Sequence, residues 1–221
     1  MRRAAFVPVL LLLLFTSLVA QQPQGQQGLT EAMLKSAAIE VPRLVELLEL
    51  KPGLAIADVG AGFGAWTVAF GRWTGPSGKV YATDIGEKQL AFLREFTKKE
   101  GLTNVTVLAG AERSTNLPPG CCDAILIRDA YHHLTQPQDI VKSMAAALKP
   151  GGRLAVIDFP PRPNSEIPAG VPANRGGHGV PPEVVISEAN AAGLTTVTVN
   201  RQWSAQSQPN DLFLVVFRKM N

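Results

Sequence analysis

Residues 54–64 read Leu-Ala-Ile-Ala-Asp-Val-Gly-Ala-Gly-Phe-Gly, an apolar run followed by three glycines at alternate positions. The apolar run has the length of a strand and predicts one that is buried. Because glycine lacks a Cβ, a ligand can approach its backbone closely, and the chain can adopt the φ values of a tight strand-to-helix turn. Gly60, Gly62 and Gly64 therefore predict a ligand-binding loop directly after the strand.

Helix-like and strand-like segments alternate along the rest of the chain, which predicts an α/β fold with a doubly wound, mostly parallel sheet of seven strands. Strands are predicted at 54–59, 79–84, 104–108, 124–128, 153–158, 195–201 and 212–219. Helices are predicted at 31–50, 65–74, 87–100, 136–148 and 182–192. Pro42 is expected to break the first helix, and 160–180 is expected to be a long mobile loop. No helix separates the last two strands, so we expect a final antiparallel pair.

The first 20 residues have the pattern of a secretory signal peptide, with Arg2 and Arg3 before an apolar stretch that ends at Ala20. A small residue suits the cleavage site, and Ala20 meets this preference whereas Leu18 does not. An uncleaved membrane anchor over residues 4–20 is the alternative, because the apolar stretch is near the lower length limit of a spanning helix. We expect an exported protein, periplasmic or secreted, that meets the membrane only through this segment if it is uncleaved.

The remainder of the chain divides into a Gln/Gly-rich linker over 21–29 and one folded domain over 30–221, since 221 residues are too few for two ordinary domains. The chain has 21 basic and 18 acidic residues, and removal of Arg2 and Arg3 leaves 19 against 18. A nearly neutral domain lacks the basic surface that grips phosphate backbones. The composition therefore argues against nucleic acid as a partner.

Cys121 and Cys122 are the only cysteines and are adjacent. A cysteine metal site would need more ligands at suitable spacing. Two reduced thiols at the start of a buried strand are favoured over a vicinal disulfide.

Four motifs follow one another along the chain: Asp58-Val-Gly-Ala-Gly-Phe-Gly64, Val80-Tyr-Ala-Thr-Asp84-Ile85, Leu117-Pro-Pro-Gly-Cys-Cys-Asp-Ala-Ile-Leu and Leu148-Lys-Pro-Gly-Gly-Arg-Leu-Ala-Val-Ile-Asp158. With the closing antiparallel pair, they resemble the class I, seven-stranded S-adenosylmethionine-dependent methyltransferases over about residues 30–221. The resemblance implies a methyltransferase domain there and S-adenosylmethionine as its cofactor.

The resemblance also implies which residues bind the cofactor. The glycine loop would lie against its methionine end and ribose through Asp58, Gly60, Ala61, Gly62 and Gly64. Asp58 would bind the ammonium group, with a structural role in the loop as the alternative. Asp84 would accept hydrogen bonds from both ribose hydroxyls, as a carboxylate does bidentately, and Ile85 would pack on the adenine.

The chain departs from the family pattern after strand 3, where an Asp often accepts from the adenine amino group. Here the sequence is Leu108-Ala-Gly-Ala-Glu-Arg113, so Ala111 takes the place of the acid or Glu112 replaces it. Arg128 is a further candidate cofactor contact, because ligands of open α/β sheets bind beyond the carboxyl ends of the strands.

The acceptor side is predicted in Arg128-Asp-Ala-Tyr-His-His133, directly after strand 4. Asp129, His132 and His133 are the candidate catalytic residues, because titratable groups cluster where a pocket is expected. At most one of the two histidines is expected to face the pocket. No metal is expected, since a His-His site would need Asp129 and has no fixed spacing to support it. His178 lies in a glycine-rich segment that could act as a lid.

A small-molecule acceptor is expected, and two other functions remain open. The segment Gly60-Ala-Gly-Phe-Gly-Ala65 also satisfies the dinucleotide pattern, so an NAD(P)- or flavin-dependent oxidoreductase is one alternative. A catalytically inactive cofactor-binding module is the other. Asp58, the helical segment before strand 1 and the closing antiparallel pair favour the methyltransferase.

Overall fold

The computed structural model describes residues 28–203 and 211–220. Its strands are β1 (Ala55–Val59), β2 (Lys79–Asp84), β3 (Val105–Ala109), β4 (Cys122–Arg128), β5 (Leu148–Asp158), β6 (Leu194–Asn200) and β7 (Phe213–Lys219). Its α-helices are α1 (Glu31–Leu47), α2 (Ala65–Thr74), α3 (Glu87–Lys99), α4 (Pro137–Ala147) and α5 (Pro182–Ala191). Short 3₁₀ helices lie at Tyr131–His133 and Ala173–Arg175.

The strands of the described residues form one seven-stranded sheet in the order β3-β2-β1-β4-β5-β7-β6. Strands β1 to β5 run parallel, and β7 lies antiparallel between β5 and β6. The predicted α/β fold with a final antiparallel strand is therefore confirmed. The chain proceeds from β1 toward β2 and β3 on one side and then returns to β4 on the other. This reversal places a ligand crevice at the carboxyl ends of β1 and β4.

Both faces of the sheet are buried, which explains why the middle of its central strands is an unbroken apolar run, as at 124–127 of β4 and 154–157 of β5. One core contains residues of α1 and α2, including Leu44 and Phe70, packed on Ile56 and Leu126. The other core lies on the opposite face of the same strands. There residues of α4 and α5 pack with Ile125 and Ile127. The helices thereby hold the carboxyl ends of the strands in fixed positions.

Helix α1 continues through Pro42, so the predicted break there was wrong. Thr30 begins the helix as predicted, because its side chain accepts a hydrogen bond from the Met33 N–H at 3.2 Å. Proline removes one helical hydrogen bond, but Val41 and Leu44 on either side of it are buried in the core. Their packing holds the helix together across the missing bond.

Segment 160–180 is irregular, as predicted, but it is attached to the domain at both ends. The Arg162 N–H donates to the His178 carbonyl at 3.0 Å, and the Val180 N–H donates to the Phe159 carbonyl at 3.0 Å. In between, the buried Arg175 forms an ion pair with Glu188 of α5 at 3.2 Å. These bonds bring the end of the segment back to the carboxyl end of β5.

The expectation of two free thiols was wrong, because Cys121 and Cys122 form a vicinal disulfide. In an extended strand, successive side chains point to opposite faces and their sulfur atoms could not meet. The chain instead turns directly before β4, where the Cys121 N–H donates to the Pro118 carbonyl at 3.3 Å. Because of this turn, the side chains of Cys121 and Cys122 do not point to opposite faces, and their sulfur atoms can meet.

None of the helices in the described residues has both the length and the apolarity of a membrane span. The predicted signal segment, residues 1–20, and most of the predicted linker lie outside the described residues.

Candidate active site

The glycine loop bends sharply between β1 and α2 because its glycines adopt positive φ angles, +68° at Gly60 and +54° at Gly62. A Cβ on Gly60 would lie 2.7 Å from the Cβ of Ala130, so this glycine allows the loops after β1 and β4 to touch. A Cβ on Gly62 would have no atom of the described residues within 4 Å. Gly62 therefore presents bare backbone to open space, as a cofactor loop requires.

Gly64 and Ala61 support the loop from within the protein. Gly64 precedes α2 with a φ of +82°, and a Cβ there would lie 2.6 Å from the Leu93 side chain of α3. The Ala61 N–H donates to the Thr83 carbonyl of β2 at 2.9 Å. Both residues were predicted as cofactor contacts, and the structure gives them contacts that fix the shape of the loop.

A cavity of about 450 Å³ lies beside this loop, at the carboxyl ends of β1 to β4. Its walls include eight of the predicted site residues: Gly60, Gly62, Asp84, Ile85, Ala111, Glu112, Asp129 and His133. Its volume lies within the range of small-molecule and cofactor pockets. The strand ends, together with the family resemblance, thus predicted the location of the cavity.

Asp84 and Ile85 form the wall of the cavity at the end of β2. The Asp84 carboxylate accepts hydrogen bonds from the N–H groups of Gly62 and Gly86, each at 2.9 Å. These bonds fix the carboxylate at the glycine loop, where it can also accept from a bound diol. Ile85 is 67% exposed, although it is large and apolar. Its free surface at the cavity can pack on a flat apolar group.

Asp58 lies behind the glycine loop and does not line the cavity. Its buried carboxylate accepts a hydrogen bond from the Thr67 hydroxyl of α2 at 2.6 Å. Burial raises the pKa of Asp58 to about 6, and the Thr67 hydrogen bond opposes this shift. In this structure Asp58 joins β1 to α2 and is not among the residues that line the cavity.

The loop after β3 lines the part of the cavity where the adenine was predicted to bind. The Ala111 N–H donates to the Ser114 carbonyl at 2.7 Å and is thus engaged within the protein. Sequence analysis missed Gly110, which also lines the cavity. A Cβ added to Gly110 would lie 3.7 Å from the Cγ2 atom of Ile85, so Gly110 lies beside Ile85 in the cavity wall. Its position directly after a strand was the signal that could have identified it.

Arg128 lies outside the larger cavity, contrary to its predicted place among the cofactor contacts. Its guanidinium binds the buried Glu40 of α1, with Nε to Oε2 at 2.8 Å and Nη2 to Oε1 at 3.2 Å. The guanidinium also stacks on the Trp66 ring at 3.9 Å. Arg128 and Asp129 line a second cavity of about 210 Å³ on the α1 side. Because Asp129 lines both cavities, the two are neighbours.

The two candidate catalytic histidines have different surroundings. His132 is buried, and its Nδ1 and backbone N–H bind the two oxygens of Asp158 at 2.8 and 3.1 Å. His133 lines the larger cavity beside Asp129. Desolvation lowers the pKa of His133, and the charges of its neighbours His132 and His178 lower it further. Only His133 is thus placed to meet a ligand in that cavity.

Asp129 has a φ of +53°, which is uncommon for a residue other than glycine. Desolvation and the charge of Asp158 raise its pKa. The backbone is held in this conformation by a hydrogen bond from the Asp129 N–H to the Ile157 carbonyl at 2.8 Å. Such conformations are concentrated at functional sites, where the surrounding structure maintains them.

His178 lies against both of these histidines, which sequence analysis did not foresee. Its ring centroid is 5.1 Å from that of His132 and 5.6 Å from that of His133. Segment 160–180 has no periodicity from which its path could be predicted, so no local signal placed His178 there. The larger cavity therefore has the Asp84 carboxylate and the exposed Ile85 side chain at the end of β2 and the His133 imidazole after β4. The rings of His132 and His178 pack against that imidazole.

Comparison with known proteins agrees with this geometry. Residues 56–152 match the family model described as a methyltransferase domain. The ubiquinone/menaquinone biosynthesis C-methyltransferase UbiE of Bordetella parapertussis is 33% identical over 110 residues, which cover 50% of this chain and 42% of that protein. The chain thus matches less than half the length of this curated relative.

Solved structures share the whole described fold. A SAM-dependent methyltransferase from Aquifex aeolicus is 25% identical with a TM-score of 0.68, and the match covers 86% of this chain and 93% of that one. A glycopeptide N-methyltransferase, MtfA, solved with sinefungin is 16% identical with a TM-score of 0.63, covering 82% and 86%. The second likeness concerns the fold alone.

Proposed function

Because the domain and the fold are those of the class I S-adenosylmethionine-dependent methyltransferases, we propose that this protein transfers a methyl group from S-adenosylmethionine to a small-molecule acceptor. The observation that carries the proposal is the open backbone of Gly62 beside the Asp84 carboxylate, in a cavity that the family's cofactor would fit. The oxidoreductase alternative shares the glycine loop but not the matches to methyltransferases.

The residues at the larger cavity fit the two ends of this cofactor. Asp84 would accept from the ribose hydroxyls, the exposed face of Ile85 would pack on the adenine, and Gly62 would admit the cofactor against the loop. When bound, S-adenosylmethionine supplies an electrophilic methyl group on a sulfonium. The task left to the protein is mainly to hold the acceptor in line with that group.

The acceptor side is proposed at Asp129 and His133. Both residues line the larger cavity, and Asp129 continues into the smaller one. A neutral His133 imidazole can accept a proton from an acceptor that must lose one. Two cavities of about 450 and 210 Å³ suit a small acceptor, and the nearly neutral domain is unsuited to nucleic acid.

We expect Asp84→Ala to weaken S-adenosylmethionine binding by about 1.5 to 3 kcal/mol, which is roughly 10- to 150-fold in Kd. The variant removes the acceptor of the ribose hydroxyls and frees the Gly62 N–H that the carboxylate holds. Calorimetric titration of the purified full-length chain measures the change. The wild type should bind S-adenosylmethionine and its demethylated product and should not bind NAD.

Glu183→Ala is the control, because the exposed Glu183 pairs with Arg201, neither lines the cavity, and removal of this carboxylate should leave cofactor affinity unchanged. Equal affinities of Asp84→Ala and wild type would refute the assignment of Asp84 to the ribose. Saturable binding of NAD in place of S-adenosylmethionine would refute the proposed function itself.

The proposal includes export through the N-terminal segment. Residues 1–25, fused to a reporter that is active only outside the cytoplasm, should direct the reporter out of the cell, because Arg2 and Arg3 precede an uncharged apolar core. The control carries arginine in place of Leu12 and Leu13, which interrupts that core and should abolish export. A silent wild-type fusion would contradict the proposal.

A further inference from the structure

All three histidines of the chain meet in one cluster, although the sequence separates His178 from His132 and His133 by more than forty residues. One ligand nitrogen of each lies within 4.8 Å of those of the other two. The rings of His132 and His133 are 4.0 Å apart between centroids. Sequence analysis named only Asp129 as a third ligand for the His-His pair, whereas the fold supplies His178 from the segment before α5.

Asp158 orients His132 as a carboxylate orients a metal-binding histidine. Because a carboxylate only accepts hydrogen bonds, the Nδ1 of His132 carries the proton and its Nε2 carries the free lone pair. Asp158 also accepts from the N–H groups of His132 and Phe159, at 3.1 and 2.9 Å. Three of the roughly four lone-pair sites of this carboxylate are taken by these donors, so it acts as a support for His132 and not as a ligand.

The Nε2 of His178 is fully buried and has no hydrogen-bond partner among the described residues. A buried polar atom without a partner carries a free-energy cost that a bound ligand would remove. The backbone of His178 is fixed, since its N–H donates to the Ser165 hydroxyl at 2.8 Å and its carbonyl accepts from Arg162. The orphan nitrogen is thus held at the cluster by the segment's own hydrogen bonds.

We propose that His132, His133 and His178 together bind one divalent transition-metal ion, namely zinc. Three imidazoles and one open position make the ligand set of a catalytic zinc site. A second group of possible ligands, Asp129 with His132 and Asp158, competes for His132. It includes the Asp158 carboxylate, which already accepts hydrogen bonds from His132 and Phe159.

The position of the ion suggests its use, and this step rests on the proposed function. His133 lines the larger cavity next to Asp129, so the ion would lie in the wall of the cavity at its acceptor side. An oxygen, nitrogen or sulfur atom of the acceptor could then take the open coordination position. A Lewis acid there would orient the acceptor and favour its deprotonated form. In the zinc-bound chain this effect replaces proton transfer to His133, whose lone pair is then held by the ion.

Zinc content of the purified full-length chain, produced without a polyhistidine tag, tests the site. After removal of metal with a chelator and dialysis against zinc, mass spectrometry should find about one ion per chain. His133→Ala and His178→Ala should each reduce zinc affinity by at least about tenfold, and Asp158→Asn by about 10- to 100-fold. Glu166→Ala is the control, because Glu166 is an exposed acid on the same segment as His178.

A thermal shift separates loss of the site from loss of the fold. Zinc should raise the Tm of the wild type and of Glu166→Ala, and it should not raise the Tm of a folded His178→Ala. If His178→Ala does not fold, substitution of cobalt into the wild type serves instead, and its absorption spectrum should report tetrahedral nitrogen coordination. A wild type without stoichiometric zinc, or a folded His178→Ala that retains wild-type affinity, would overturn the proposal.

Titration with S-adenosylmethionine distinguishes this proposal from the proposed function. The metal-free chain should still bind the cofactor, because Asp84 ends β2, and β1 separates β2 from β4, which precedes His132 and His133. Zinc binding without cofactor binding would leave the metal site standing and refute the function. Cofactor binding without zinc binding would refute the metal site and leave the proposed function standing.

Discussion

His133→Ala is expected to lose roughly 100-fold or more in turnover while retaining wild-type affinity for S-adenosylmethionine. His133 is the histidine of its pair that lines the larger cavity. It follows β4, whereas Asp84 ends β2 on the far side of β1. Loss of a group that takes a proton or binds an ion at the acceptor therefore affects the chemical step and not cofactor binding. Turnover is measured as release of the demethylated cofactor, with an acceptor found by screening small molecules.

Gln136→Ala is the control, since Gln136 lies three residues after His133, is exposed and lines neither cavity. His132→Ala should behave differently from His133→Ala, because it leaves the buried Asp158 without its imidazole partner and so lowers the free energy of unfolding. Wild-type turnover in His133→Ala would move the acceptor site to the smaller cavity beside Arg128 and Asp129.

The framework of the site was predictable because it depends on local pattern and on topology. Apolar strands ended by glycine or acid placed Gly62 and Asp84 at neighbouring strand ends, and the parallel register of β1 and β2 brings these ends together. The rule that ligands bind beyond such ends then identified the cavity. Each step used residues within one strand and the turn after it.

The interior ion pair and the histidine cluster were not predictable in this way. Glu40 and Arg128 are 88 residues apart, and neither has a local pattern that distinguishes it from a surface residue. Sequence position alone therefore placed Arg128 at the cofactor, whereas the packing of α1 on the sheet gives it a partner. His178 reaches His132 through an irregular segment, for which no periodicity exists to be read.

Glu40→Ala is expected to lower the free energy of unfolding by about 3 to 5 kcal/mol, because removal of one partner leaves an uncompensated buried charge. The Glu40 side chain is 0% exposed and that of Arg128 is 10% exposed. The Glu40 carboxylate also accepts from the Trp66 indole N–H at 2.9 Å. The variant thus strands a guanidinium and an indole N–H between α1, α2 and β4. Urea denaturation measures the loss.

Glu31→Ala on the same helix is the matched control, because Glu31 pairs with Lys35 in solvent and such pairs contribute at most about 1 kcal/mol. A loss in Glu40→Ala no greater than in Glu31→Ala would show that the buried pair does not hold α1 on the sheet. The double variant Glu40→Leu with Arg128→Met separates the two causes of destabilisation. It removes both charges and keeps apolar volume, so it should recover most of the lost stability if the stranded guanidinium, and not the lost attraction, is the main cost.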